Sequence, residues 1–328
     1  MHSVKRVRTT EEQKARQKRI EAGQIKEYRK LMDEYLEMRA QNRHDEESLN
    51  QTTELLERNP ETYTVWNYRR EIFCDLFKSM SDEDKKARLT KELKFIEDRL
   101  RKYPKVYWIW NHRRWTLENF PQAPWDRELA IVSKMLELDS RNFHGWHYRR
   151  YVVGELEKSH DNSLVKSEFD YTTSKINANF SNFSAWHQRA KLIPRLLKET
   201  GQDPRELLYS ELEYIRQALY TDPDDQSSWI YHRWLLSTDQ IVPDLSANER
   251  AKIITNEIKS IEELDEIEPD NKWCMDALVF YGQLLAKVES RPLTAEELDQ
   301  ARKRLSKLKQ TDPMRKNRYQ YVETSLEQ

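Results

Sequence analysis

Residues 103 to 115 read Tyr103-Pro104-Lys105-Val106-Tyr107-Trp108-Ile109-Trp110-Asn111-His112-Arg113-Arg114-Trp115. Pro104 fits the first turn of a helix, where its missing N–H would be unpaired anyway. Trp110, Arg113 and Arg114 then fall at i, i+3 and i+4, on one helical face. Aligned on the tryptophan, sister copies begin at Trp66, Trp146, Trp186, Trp229 and, weakly, Trp273. Successive intervals along the series are 44, 36, 40, 43 and 44 residues. Recurrence at that period marks an all-α repeat array, each unit an antiparallel helix pair stacked on its neighbours.

A chain of 328 residues would ordinarily suggest about two domains, but a solenoid grows by stacking, so residues 46–328 are expected to form a single domain of about six to seven helix pairs. Residues 1–45 are expected to be a polar tail and a long helix. The five glycines are scattered and leave no Gly-rich loop for a nucleotide, which excludes Rossmann and P-loop readings. Charged residues make up 34% of the chain with a net charge of −1. That balance lacks the basic excess of a general nucleic-acid binder. Cys74 and Cys274 form no CxxC and lie in helical patterns, where buried free thiols are expected. With no apolar leader and no long apolar run, the chain reads as cytoplasmic and without a membrane span.

Taken in order, a polar helix is expected from about Thr10 to Gln41. The first pair then breaks at Asn59-Pro60 between a helix ending at Arg58 and one carrying Trp66, Arg69 and Arg70. The second pair has Leu89, Leu93, Ile96 and Leu100 at i, i+4, i+7 and i+11, a single buried stripe. The third turns at Asp139-Ser140 and carries Trp146, Arg149 and Arg150. The fourth keeps Trp186 and Arg189 but has Ala190 in place of a second arginine. The fifth places His232 and Arg233 after Trp229. The sixth keeps Pro269 and Trp273 but loses the arginines, as a terminal cap does. A last pair runs from a Thr294-to-Glu297 capping box to about Ser325.

A tryptophan and an arginine at helical spacing are explained by structure: the indole fills the gap between stacked pairs, and the guanidinium stacks on it or pairs with a glutamate. Trp66, Arg69, Trp110, Arg113, Trp146, Arg149, Trp186, Arg189, Trp229 and Arg233 are read this way. His112, His147, His187 and His232 are read likewise, since their spacing is no metal signature. Lys105 differs. Five residues before the tryptophan, the first and fifth units carry Glu61 and Asp224, the acidic type a helix N-terminus favours. A lysine there is unfavourable unless an anion joins it, and a helix N-terminus plus an ammonium suits phosphate. Arg141 repeats the departure, followed by Phe143 and His144.

The unit Trp-x-x-Arg-Arg after a Pro or Asn-aromatic break resembles the alpha-subunit repeat of protein prenyltransferases over nearly the whole chain. Three stretches look like the branch that modifies Rab GTPases. They are the Met1-His2 opening with its basic stretch, Asn142-Phe143-His144-Gly145-Trp146-His147-Tyr148-Arg149-Arg150, and Asp222-Pro223-x-Asp225-Gln226-Ser227-x-Trp229-x-Tyr231-His232-Arg233-Trp234. The form resembled is the short fungal one, with no immunoglobulin-like or leucine-rich domain after the repeats.

The resemblance implies a right-handed superhelix of helix pairs wrapped round an obligate beta subunit, a barrel that carries the zinc. It implies transfer of geranylgeranyl from geranylgeranyl diphosphate to C-terminal cysteines of Rab GTPases presented by Rab escort protein. Lys105 matches the family lysine that reaches the departing diphosphate. Tyr107 and His144 match residues at the active-site mouth, where Phe143 brings no hydroxyl. His2 precedes Lys5, Arg6 and Arg8 and has two readings: an unordered tail, or a tail that crosses to the partner and offers its imidazole to the zinc. Competing expectations are an alpha subunit shared by farnesyltransferase and geranylgeranyltransferase type I, a tetratricopeptide-like adaptor, and a scaffold of RNA processing. Units longer than about 34 residues and centred on Trp-Arg disfavour the adaptor, and the near-zero net charge weakens the RNA scaffold.

Overall fold

The computed structural model describes residues 10–326; His2 lies outside them. It opens with α1, Glu11–Ala40, where Thr10 and Gln13 form a reciprocal capping box and Glu11 and Glu12 suit the positive end of the helix. Through Glu27 every residue of α1 is exposed. Packing begins at Tyr28, whose hydroxyl lies 2.9 Å from Thr62 Oγ1, and continues at buried Tyr35, which donates to the Thr64 carbonyl at 3.3 Å.

Paired helices follow: α2 Glu46–Arg58 with α3 Tyr63–Phe77, α4 Asp82–Lys102 with α5 Tyr107–Glu118, and α6 Trp125–Leu138 with α7 Phe143–His160. Next come α8 Val165–Ala178 with α9 Phe183–Thr200, α10 Pro204–Thr221 with α11 Gln226–Ser237, and α12 Ala247–Ile267 with α13 Lys272–Val288. The last pair is α14 Ala295–Thr311 and α15 Lys316–Ser325, joined through a 3-10 turn at Pro313–Arg315. Each start is written locally where a side chain can accept the first free N–H groups: Asp45, Ser81, Asp203, Ser246 and Thr294 all cap their helices. No strand occurs among the described residues. The chain belongs to an all-α repeat fold, and the helix pairs fall where the tryptophan spacing puts them.

The contacts divide into two compact units. The first runs to Lys134 and takes in Asn142–Val152; the second holds Met135–Arg141 and the chain from Val153.

Within each unit the repeated tryptophan is buried, and in four copies its indole N–H donates to a carbonyl six residues earlier. The bonds are Trp66 to Pro60 at 2.9 Å, Trp110 to Pro104 at 3.0 Å, Trp186 to Phe180 at 2.7 Å and Trp229 to Pro223 at 2.8 Å. A buried indole needs such a partner, and the bond locks the inter-helix turn onto the helix that follows it. Trp273 is the exception. Its Pro-to-Trp spacing is two residues shorter, and its indole reaches instead to the Asp224 carbonyl of the preceding pair at 3.1 Å.

Three expectations are corrected. Pro104 lies three residues ahead of α5 rather than in its first turn; it follows the end of α4, which a proline cannot continue. In α4, Leu89, Ile96 and Leu100 are buried as expected, but Leu93 is half-buried and Glu92 is the fourth fully enclosed side chain. Cys274 is buried, with its thiol pushed up to about 12 by desolvation, whereas Cys74 is exposed on α3.

Glu92 reveals the plan of the core. It accepts from Arg69 Nε and Nη2 at 2.7 and 2.6 Å and lies 2.8 Å from His112 Nε2, so one carboxylate joins α3, α4 and α5. Glu128 does the same for Arg113, at 2.8 and 2.5 Å, and the Tyr148 hydroxyl, at 2.9 Å. Glu211 does it for Arg189, at 2.7 and 2.6 Å, and Tyr231, at 2.6 Å. All these side chains are almost fully buried. The spare guanidinium nitrogens are satisfied too: Arg69 Nη1 donates to the Leu49 carbonyl, Thr52 and Thr53. Arg149 Nη1 donates to Ser133 Oγ at 2.7 Å. In the fifth pair His232 takes the place of the buried arginine, 3.0 Å from Glu257, while Arg233 pairs with Asp276 at 2.7 Å.

Candidate functional site

Lys105 sits exposed in the turn between α4 and α5. The turn is held from two sides. The Pro104 carbonyl accepts both the Trp110 indole and Asn142 Nδ2, the latter at 3.2 Å. The Lys105 backbone takes a hydrogen bond with the His144 imidazole. His144 is 5% exposed, and burial, helped by the charge of His147, holds its pKa below the ordinary histidine value against that backbone bond.

Tyr107, the first residue of α5, is exposed, and its ring stands edge-on to His144 with centroids 4.2 Å apart. Phe143, also exposed, lies 5.9 Å from Tyr107. Lys105, Tyr107 and His144 are therefore neighbours in the first unit, brought together by the start of α5 and the start of α7. Arg141 is exposed in the turn ahead of α7 and falls in the second unit.

The two helix starts differ in chemistry. At α7 the Asn142 side chain caps the N–H groups of His144 and Gly145 at 3.0 and 3.3 Å. At α5 the cap position is Val106, which has no acceptor, and no side chain caps the helix. The first turn of α5, without a side-chain cap, thus follows closely on Lys105 and begins with the exposed Tyr107. Such a set is suited to a polyanion with several oxygens, because amides and cation both gain from negative charge.

Sequence reasoning missed two features. The first is the recurring buried glutamate. Glu92, Glu128, Glu168 and Glu211 each stand 18 residues before a repeat tryptophan, a signal as regular as the arginines. The second is an exposed aromatic that recurs at one position of the repeat. Tyr63, Tyr107 and Phe143 in the first unit and Phe183 in the second are the first residues of α3, α5, α7 and α9, at 47 to 58% exposure. All lie three residues before the tryptophan, and the fifth unit has Gln226 at that position. Large rings left exposed at one repeat position are the residue type enriched in interfaces. Among the described residues no group of His, Cys, Asp or Glu is arranged to hold a metal, and no helix is long and apolar enough to cross a membrane.

Comparison with known proteins joins these features to a family. The protein prenyltransferase alpha subunit repeat matches residues 45–76, 89–120, 125–156, 165–196 and 208–239. The chain is 43% identical to the geranylgeranyl transferase type-2 subunit alpha of Schizosaccharomyces pombe, over 99% of this chain and 98% of that one. It is 42% identical to the subunit of that name from Saccharomyces cerevisiae, over 98% of each. Among solved structures, a chain of Candida albicans protein geranylgeranyltransferase-I complexed with GGPP superposes with a TM-score of 0.68. That match spans 92% of this chain and 91% of that one at 22% identity, a likeness of fold.

Proposed function

This chain belongs to the geranylgeranyl transferase type-2 alpha subunits of the protein prenyltransferase family, and from that premise we propose that it works as half of a cytoplasmic heterodimer. With a beta subunit it transfers geranylgeranyl from geranylgeranyl diphosphate to C-terminal cysteines of Rab GTPases presented by Rab escort protein. The observation that carries this reading over a shared farnesyltransferase-type alpha subunit or an RNA scaffold is the likeness to type-2 alpha subunits along the whole chain.

Zinc held by the beta subunit would lower the thiol pKa and supply the thiolate. What this chain adds is charge management. When the sulfur attacks C1 of the lipid, the carbon–oxygen electron pair leaves with the diphosphate, and negative charge grows on the bridging oxygen. Lys105, beside the uncapped amides of α5, is assigned to meet that charge. Tyr107, His144 and Arg141 are assigned to the diphosphate side. The exposed rings that open α3, α5, α7 and α9 supply apolar anchors for the partner.

Lys105→Ala tests the assignment. An ammonium that meets growing charge matters more in the transition state than in the ground state. Single-turnover transfer should therefore slow by roughly 100- to 1000-fold, as for loss of one well-placed charged donor, while lipid diphosphate affinity falls less. Lys105→Arg should recover only part, because a planar fork does not occupy the point of an ammonium. Arg69→Ala, at the buried repeat position, should lower the yield of heterodimer and leave the rate per folded complex nearly intact. Normal single-turnover transfer by Lys105→Ala would remove Lys105 from the reaction and leave the family membership untouched.

A further inference from the structure

Asn142 stands 6% exposed at the start of α7, and both ends of its side-chain amide are in use. Its oxygen caps α7 through the His144 and Gly145 amides, and its nitrogen donates to the Pro104 carbonyl. The Pro104 carbonyl, the Lys105 nitrogen and the Lys105 Cα belong to one rigid peptide plane. The next plane begins at the Lys105 backbone on its other side, which bonds the His144 imidazole. The His144 backbone N–H in turn donates to Asn142 Oδ1. The two planes that meet at the Lys105 Cα are thus fixed from a single point.

We propose that Asn142 is a positioning residue for Lys105: it holds the backbone from which the ammonium projects. This rests on the assignment of Lys105 to the leaving diphosphate. The same device recurs at Asn182, whose Nδ2 donates to the Ser140 carbonyl at 3.0 Å and whose oxygen caps Ala185 at 3.3 Å. The staple is therefore a property of the repeat, and at Asn142 it has a chemical group to aim.

The test is a double-mutant cycle on single-turnover transfer by the purified heterodimer, with Asn142→Asp, Lys105→Ala and the two together. Aspartate keeps the helix cap and is favoured at a helix N-terminus, but it has no donor for the Pro104 carbonyl. In the wild-type background Asn142→Asp should slow transfer by about tenfold, the scale of a sub-ångström misplacement of a reacting group, with lipid diphosphate affinity nearly unchanged. In the Lys105→Ala background the same substitution should change the rate by less than about twofold, since residues acting through one another are not additive. Equal slowing in both backgrounds, or no slowing in either, overturns the proposal while the Lys105 assignment stands. Should Lys105→Ala itself transfer normally, both fall together. If Asn142→Asp does not assemble, Asn142→Ser is read by the same cycle, because serine also caps and cannot reach the turn.

Discussion

Glu128 is 1% exposed and binds three donors from two helices, Arg113 Nε, Arg113 Nη2 and the Tyr148 hydroxyl. A charge so enclosed is tolerated only while its partners remain, and removing one partner of a buried pair costs about 3–5 kcal/mol. Arg113→Leu should therefore destabilise by that amount. The double variant with Glu128→Leu should recover much of the loss; simple addition of the two single effects in denaturant melts would refute the pairing.

His112 adds a pH dependence. Burial pushes it down to about 4, against the pull of Glu92. Glu92, which burial alone would raise, is held at about 2 by Arg69 and His112. The unfolded chain binds a proton at His112 near pH 6.5 and the folded chain does not. Stability is therefore flat above that pH and falls as pH drops from about 6.5 to 4, by at most about 1.4 kcal/mol per unit. Below the ordinary glutamate value Glu92 extends the loss toward pH 2. His112→Tyr, which copies Tyr148 and Tyr231 at the same repeat position, should flatten the slope between pH 6.5 and 4.5 in thermal melts. An unchanged slope would show that His112 does not titrate in this way. The tryptophans and arginines were legible because each pair lies within one helical turn, whereas the glutamates that complete them sit on other helices, where local periodicity cannot assign a partner.

At the scale of elements, boundaries were legible where caps are local, as at Thr10, Asn59-Pro60 and Thr294. They were misread where the same residue serves both neighbouring helices. Pro104 suits a helix first turn by residue type, yet its carbonyl is needed outside α5 for Trp110 and Asn142. Helix α9 departs from its sisters twice. It carries Pro194 in its interior and Ala190 where the first, second, third and fifth units have arginine. A cleft of about 450 Å³ opens there between α9 and α11, lined by residues that include Trp186, Ala190, Pro194, Ile230 and Trp234. Proline inside a helix costs about 3 kcal/mol relative to alanine. Pro194→Ala should then raise the unfolding temperature by several degrees; a lowered one would mean that the packing of α9 depends on the proline.

At the scale of the molecule, the first 17 residues of α1 make no buried contact, and the exposed residues include Ile20, Ile25, Tyr63, Tyr107, Phe143 and Phe183. A chain this aromatic at its surface is expected to be half of an obligate pair burying more than about 2,000 Å², and to aggregate when made alone. Lys105 could be singled out from the sequence because it breaks the acidic rule of its own repeat, and the neighbourhood of Tyr107 and His144 came from the family likeness. The bond from Asn142 to the turn that carries Lys105 could not be read that way, since Asn142 lies 37 residues farther along the chain. The most direct measurement is transfer of labelled geranylgeranyl from its diphosphate to a Rab C-terminal cysteine in the presence of escort protein. This chain, a type-2 beta subunit and their mixture are assayed side by side. Transfer is expected only from the mixture, through a one-to-one complex; transfer by the beta subunit alone at the rate of the mixture, or none by a complex that forms, would contradict a catalytic role for this chain.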